Sequence, residues 1–361
     1  MLNRADQALY FVGAGLTKSL QKPERPVPMM NDFVSVMADY VSDDVILTTL
    51  AHWEIIDDSP YDYRPQWLVD LARPLADSSD RSMERRAAFR RALKRRPAEG
   101  IEQLLENVLT KPRGRADEVV PVRLRYGINR VFQIIGWDVN LSPLLLFLRS
   151  QISEARSHAF VSFNYDLVLD YAVAQTLRQP GLEALYGLDQ KGTSNVRVLK
   201  PHGSLNFIGT LALPYIHTRY GLAFEEREPE IPGMNSGEVR YWADATDDRE
   251  PCIVPPVTSK PDALRELRLT FLERVREAEK QALKATDVVY VIGWSIPQTD
   301  TDQRALIREC MRCKPPRQVV VVNRGAPLGY FSGVAELFGV GLDQMEIFND
   351  GFCDFVENAI R

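Results

Sequence analysis

Ala8-Leu9-Tyr10-Phe11-Val12-Gly13-Ala14-Gly15-Leu16-Thr17 runs from an unbroken apolar stretch into a two-glycine turn and then into a renewed apolar pattern. An apolar run with no alternation reads as a strand covered on both faces, as in a parallel sheet. Gly13 and Gly15 allow backbone angles and close approaches that side chains forbid. A helix starting at this turn would present backbone N–H groups to an anion. Gly-x-Gly also serves plain strand-to-helix geometry, so the turn alone leaves both readings open.

Outward from this stretch, the chain of 361 residues is long enough for a large core, and its apolar fraction of 45% is ordinary for a globular protein. A net charge of −5 argues against broad attraction to nucleic acid or anionic membrane, though not against a local basic patch. No apolar run has the length to span a bilayer. Arg4 before the Ala8 run is only faintly signal-like, because glycines break the run and no cleavage site follows. Few cysteines (Cys252, Cys310, Cys313 and Cys353) in so long a chain fit a reducing cytoplasm.

Further strands are expected at His158–Phe163, Arg197–Lys200, Cys252–Val254, Asp287–Ile292 and Gln318–Val322. Several end on polar or glycine residues: Asn164-Tyr165-Asp166, Pro201-His202-Gly203-Ser204, Gly293-Trp294-Ser295 and Asn323. Ligands of open parallel sheets bind outside the carboxyl ends of the strands, which gives those residues a place to act. A helix-capping role accounts equally well for Asn164 or Asp166. A backbone-satisfied loop residue is the plain alternative for His202, while His52, His158 and His217 are read as structural.

Residues 31–150 show helical spacing at Phe33–Val41, Ile101–Leu109 and Leu141–Leu148, and read as a helical insertion between the first two strands. Trp53 and Trp67 are assigned to its packing. A basic run from Arg81 to Arg96 reads as a solvated face or a contact with an acidic neighbour, with a nucleic-acid contact as the alternative. Residues 207–250 read as a smaller irregular insertion or flap. Leu264 to Ala282 recur at helical spacing and predict one long amphipathic helix, and another is expected over Thr301–Met311. Cys310-Met311-Arg312-Cys313 lacks the second pair that a structural zinc site needs, and no metal is expected. The expected fold is a single Rossmann-like α/β domain over residues 1–361, a doubly wound parallel sheet carrying the two insertions.

The ordered set Gly13-Ala14-Gly15, Asn164-x-Asp166, His202-Gly203, Gly293-x-Ser295 and Asn323 resembles the sirtuin superfamily, most closely its bacterial NAD-cleaving branch of antiviral defence. Phe163-Asn164-Tyr165-Asp166, Lys200-Pro201-His202-Gly203-Ser204-Leu205-Asn206 and Gly293-Trp294-Ser295-Ile296-Pro297 carry the likeness. It implies an NAD⁺ glycohydrolase that releases nicotinamide and ADP-ribose. Gly13, Ala14 and Gly15 would cradle the pyrophosphate, with Thr17 where relatives often have serine. Asn164 would hold the nicotinamide ribose and orient a water, Asp166 would contact the carboxamide, and His202 would act as general base. Ser295 and Asn323 would bind the adenosine half, and Gly293 would also belong to the cofactor site.

Departures from the deacylases of the superfamily make an NAD-dependent deacylase the less favoured alternative. One cysteine pair stands where those enzymes have two, Thr17–Pro28 lacks Gly-Ile-Pro-x-Phe-Arg, and Phe163 replaces the usual Gln. An NADase endangers its host, so restraint by homo-oligomerisation or by a companion sensor or ATPase chain is expected. A non-catalytic NAD or ADP-ribose sensor is the alternative.

Overall fold

A computed structural model describes residues 7–22, 27, 139–152, 156–178, 185–186, 195–214, 216–231, 249–255, 257, 259–297 and 300–359. Most of the 31–150 insertion therefore lies outside the described residues, with Trp53, Trp67, His52 and the basic run. So does 232–248 of the second insertion.

The centre is a six-stranded parallel sheet of β1 (Gln7–Val12), β2 (Ser157–Ser162), β3 (Val196–Leu199), β8 (Val288–Ile292), β9 (Gln318–Val322) and β10 (Met345–Phe348). Its order is β3-β2-β1-β8-β9-β10, with every neighbouring pair parallel. The direction of winding reverses between β1 and β8, which is the doubly wound arrangement expected from the sequence. β1 is buried along its length apart from half-buried Gln7.

Helices cover both faces. Tyr10 stands in register with Phe160 and Tyr290 on the neighbouring strands, and the three rings stack with centroids 4.3 and 4.7 Å from Tyr10. Phe147 of α2 (Ser142–Gln151) meets Tyr10 edge-on at 6.0 Å, and Phe352 and Phe355 of α8 (Phe352–Ala359) pack behind it. The same side holds α1 (Ala14–Ser19) and α3 (Val168–Leu177). Phe11 points the other way, toward Phe338 of α7 (Leu328–Phe338), which packs on α6 (Thr301–Cys313) as α6 packs on α5 (Phe271–Ala285).

The helix expected over Leu264–Ala282 is two helices, α4 (Lys260–Glu266) and α5. Arg268 lies in the left-handed region at φ 59°, Leu269 N–H donates to Leu264 O at 2.9 Å and Arg268 N–H to Arg265 O at 3.2 Å. That is a helix-ending motif usually built on glycine. The apolar spacing runs on across the break, so nothing in the pattern marks it.

β4 (Gly203–Thr210), which starts before the second insertion, is wholly buried and pairs antiparallel with β7 (Arg249–Ile253), which runs past its end, while β5 (His217–Thr218) and β6 (Gly221–Leu222) form a short hairpin between them. β4 begins directly after His202 and carries the chain away from the main sheet. The C-terminal elements α7, β10 and α8 complete the sheet and its cover.

Candidate functional site

The carboxyl ends of β1, β2, β3, β8 and β9 carry the candidate residues. They fall along one edge, centred on the switch point between β1 and β8.

At the switch point, the two glycine turns lie against each other. Gly13 N–H donates to Ile292 O at 3.0 Å and Gly15 N–H to Gly293 O at 2.9 Å. A Cβ on Gly13 would stand 2.6 Å from Gly293 O, and one on Gly15 2.7 Å from Gly293 Cα. Gly293 has φ +58°, and a Cβ there would come within 2.4 Å of Leu16 N. These glycines are required for the meeting of two backbones. The Gly13, Gly15 and Leu16 N–H groups are all committed to carbonyls, which among residues 13–16 leaves the Ala14 N–H for a backbone contact to a phosphate at this turn.

Thr17 joins this turn to the end of β2. Its hydroxyl donates to Asp166 Oδ2 at 3.1 Å and accepts from Asn164 Nδ2 at 3.1 Å. Asn164 Nδ2 also donates to Gly13 O at 3.2 Å. Both amide hydrogens are thus fixed within the protein, which leaves Asn164 Oδ1 as the end able to accept from a hydroxyl or a water. Asp166 Oδ1 accepts from Val168 N–H at 3.0 Å, at the start of α3. Leu167, not Asn164 or Asp166, takes the N-cap position of α3; Asp166 meets the helix start from one residue earlier, with both oxygens engaged. Burial raises its carboxyl pKa against the opposing pull of the Lys200 ammonium.

His202 occupies the turn between β3 and β4, closed by Gly203 N–H on Lys200 O at 3.0 Å, and its own carbonyl accepts from Val254 N–H at 2.9 Å. The imidazole is buried and tilted against Phe163, ring centroids 5.3 Å apart. Phe163 in turn stacks on Trp294 at 4.6 Å, and Trp294 on Phe11 at 5.2 Å. Burial, reinforced by the positive charge of Lys260, pushes the His202 pKa down to about 3, with Asp300 opposing. Lys260 and Asp300 form a buried ion pair between the first turn of α4 and the start of α6. His202 is consequently a neutral imidazole across the physiological range.

Ser295 is exposed and Asn323 half-buried, with Asn323 Oδ1 accepting from Arg324 N–H at 2.8 Å. Tyr330 of α7 donates to Trp294 O at 2.5 Å and also bonds the Asn323 side chain, so it fastens the β8 turn to the β9 turn. Sequence reasoning assigned no role in the site to Tyr330, Lys200, Lys260 or Asp300, the last being read only as the start of the helix over Thr301–Met311. Trp294, legible in the sequence only as the middle of Gly293-Trp294-Ser295, carries a buried indole N–H with no acceptor. Such a donor costs about 1–3 kcal/mol when left unsatisfied and suits a polar ligand. Among the described residues no group of three or more His, Cys, Asp or Glu side chains could hold a metal ion, and no helix is long and apolar enough to cross a membrane.

No protein-family model matches the chain, and no curated protein does either. Among solved structures, one from work on the mechanism and regulation of Sir2 enzymes aligns over 99% of this chain and 91% of its own, at 11% identity and a TM-score of 0.34. That likeness is weak and distant, and it assigns neither family nor activity.

Proposed function

We propose that this edge binds NAD⁺ and hydrolyses its nicotinamide–ribose bond. The observation that carries the proposal is the fixed Asn164 amide. Thr17 and the Gly13 carbonyl orient it, and its free oxygen lies at the switch point, one residue from the ring that packs on His202. In the reaction the C1′–N1 bond breaks with its electron pair going to nicotinamide, which leaves neutral and needs no acid. The cationic ribose centre takes the oxygen of a water, as in glycoside hydrolysis. Asn164 Oδ1 accepts from that water or from a ribose hydroxyl, and neutral His202 receives the proton and passes it to solvent. Asp166 keeps the Thr17–Asn164 arrangement in place as well as facing the carboxamide. Gly13, Ala14, Gly15, Gly293, Ser295 and Asn323 border the diphosphate and adenosine. Restraint by a second copy or a companion chain, in a role in antiphage defence, belongs to the same proposal.

A second reading, binding without turnover, is favoured by the weak basicity of His202. Calorimetry with ADP-ribose tests the pocket common to both. Wild type is expected to bind one equivalent. Trp294→Phe, which keeps an aromatic ring between Phe11 and Phe163 and removes the N–H, is expected to bind about tenfold more weakly, a loss of about 1.4 kcal/mol. No heat of binding in the wild type would remove both readings.

A further inference from the structure

Lys200 is fully buried two residues before His202, and its ammonium stands between the two turns that carry the candidate catalytic groups. Its nearest acceptor is the main-chain carbonyl of Asp166 at 2.5 Å, and Asp170 Oδ2 of α3 is farther, at 3.2 Å. Asp170, also fully buried, accepts from Tyr186 OH at 2.6 Å, which accepts in turn from Asn206 Nδ2 of β4 at 2.8 Å. The Lys200 carbonyl closes the His202 turn through Gly203 N–H. Leu205 N–H on Tyr165 O at 3.2 Å is a second tie between the turns. Tyr165 OH on Val254 O at 2.5 Å, with Val254 N–H on His202 O, is a third.

Stability alone gives little reason for this network. A buried ion pair is often no better than an apolar pair of the same volume. Here the polar cluster also leaves Ser204 Oγ and Asn206 Oδ1 without partners. A pair kept for its own attraction would set the ammonium closest to the carboxylate, whereas the shortest contact is to the backbone of the Asn164–Asp166 turn.

We propose that Lys200 is a positioning residue: its ammonium, held by Asp170, locks the Asn164–Asp166 turn in register with the His202 turn. This rests on the NAD⁺-cleaving reading for its catalytic consequence and on the contacts above for the coupling itself. Small displacements between reacting groups cost about 10²-fold in rate.

The test uses the full chain. Lys200→Met alone strands a buried carboxylate and is expected to fold poorly, so the informative variant is Lys200→Met with Asp170→Asn. It is expected to release nicotinamide with kcat lowered about 10²-fold and KM little changed. Amide hydrogen exchange should quicken at 164–168 and 203–206 while β8 and β9 exchange as in wild type. Lys200→Gln with Asp170→Asn, which restores a neutral donor, should recover part of the rate and of the protection. Wild-type kcat, or wild-type exchange at both turns, in the Met/Asn variant overturns the proposal. If wild type itself releases no nicotinamide, the exchange comparison alone decides the coupling.

Discussion

His202 and Glu279 are buried titratable groups displaced in opposite senses. His202 titrates at about 3 in place of 6.5, so between those values the unfolded chain binds a proton that the native protein does not. Its contribution to stability is therefore lost as pH falls through that range. Burial lifts Glu279 of α5 from 4.5 to about 7, so between those values the native protein holds the extra proton and stability is lost as pH rises. Across their overlap, from 4.5 to 6.5, the two trends oppose each other. Relative to wild type, Glu279→Gln should become more stable with rising pH in this window and His202→Asn less stable. The differences should be on the order of a few kcal/mol in urea unfolding. Unchanged pH slopes in both variants would contradict these environments. Neither displacement is visible in the sequence, because it depends on what surrounds each side chain after folding.

The elements differ in how openly the sequence announces them. Val288–Ile292 and Gln318–Val322 are legible because parallel strands covered on both faces must be apolar throughout. β10 is not, since at the sheet edge Glu346 and Ile347 are both exposed and the strand spans only four residues without alternation. The α4–α5 break is hidden because arginine, not glycine, takes the left-handed position. The β1 and β8 turns are legible as glycine motifs, but their mutual contact is a tertiary fact. It makes a sharp prediction. Gly293→Ala puts a Cβ against the backbone of α1 at a positive φ, and should lower stability by at least about 2 kcal/mol. Gly333→Ala, inside α7 with open space around it, should raise stability by about 0.5–1 kcal/mol. Thermal unfolding of the two variants compares them directly, and equal effects would contradict the close approach of the turns.

For the molecule as a whole, the sheet order brings strand ends scattered from Gly13 to Asn323 to one edge, and His202 reaches it only because β4 departs immediately after it. Polar and glycine residues at the ends of apolar runs make this edge legible in the sequence. The ties that hold it, through Thr17, Lys200, Tyr330 and Trp294, are not, since each joins residues remote along the chain. The most direct measurement is nicotinamide release from NAD⁺, followed by chromatography, for wild type, Asn164→Ala and His202→Ala. Wild type is expected to release nicotinamide and ADP-ribose in equal amounts, with both variants slower by about 10²–10⁴-fold. Release undiminished in the variants, or a wild type that neither releases nicotinamide nor binds ADP-ribose, would contradict a glycohydrolase at this site.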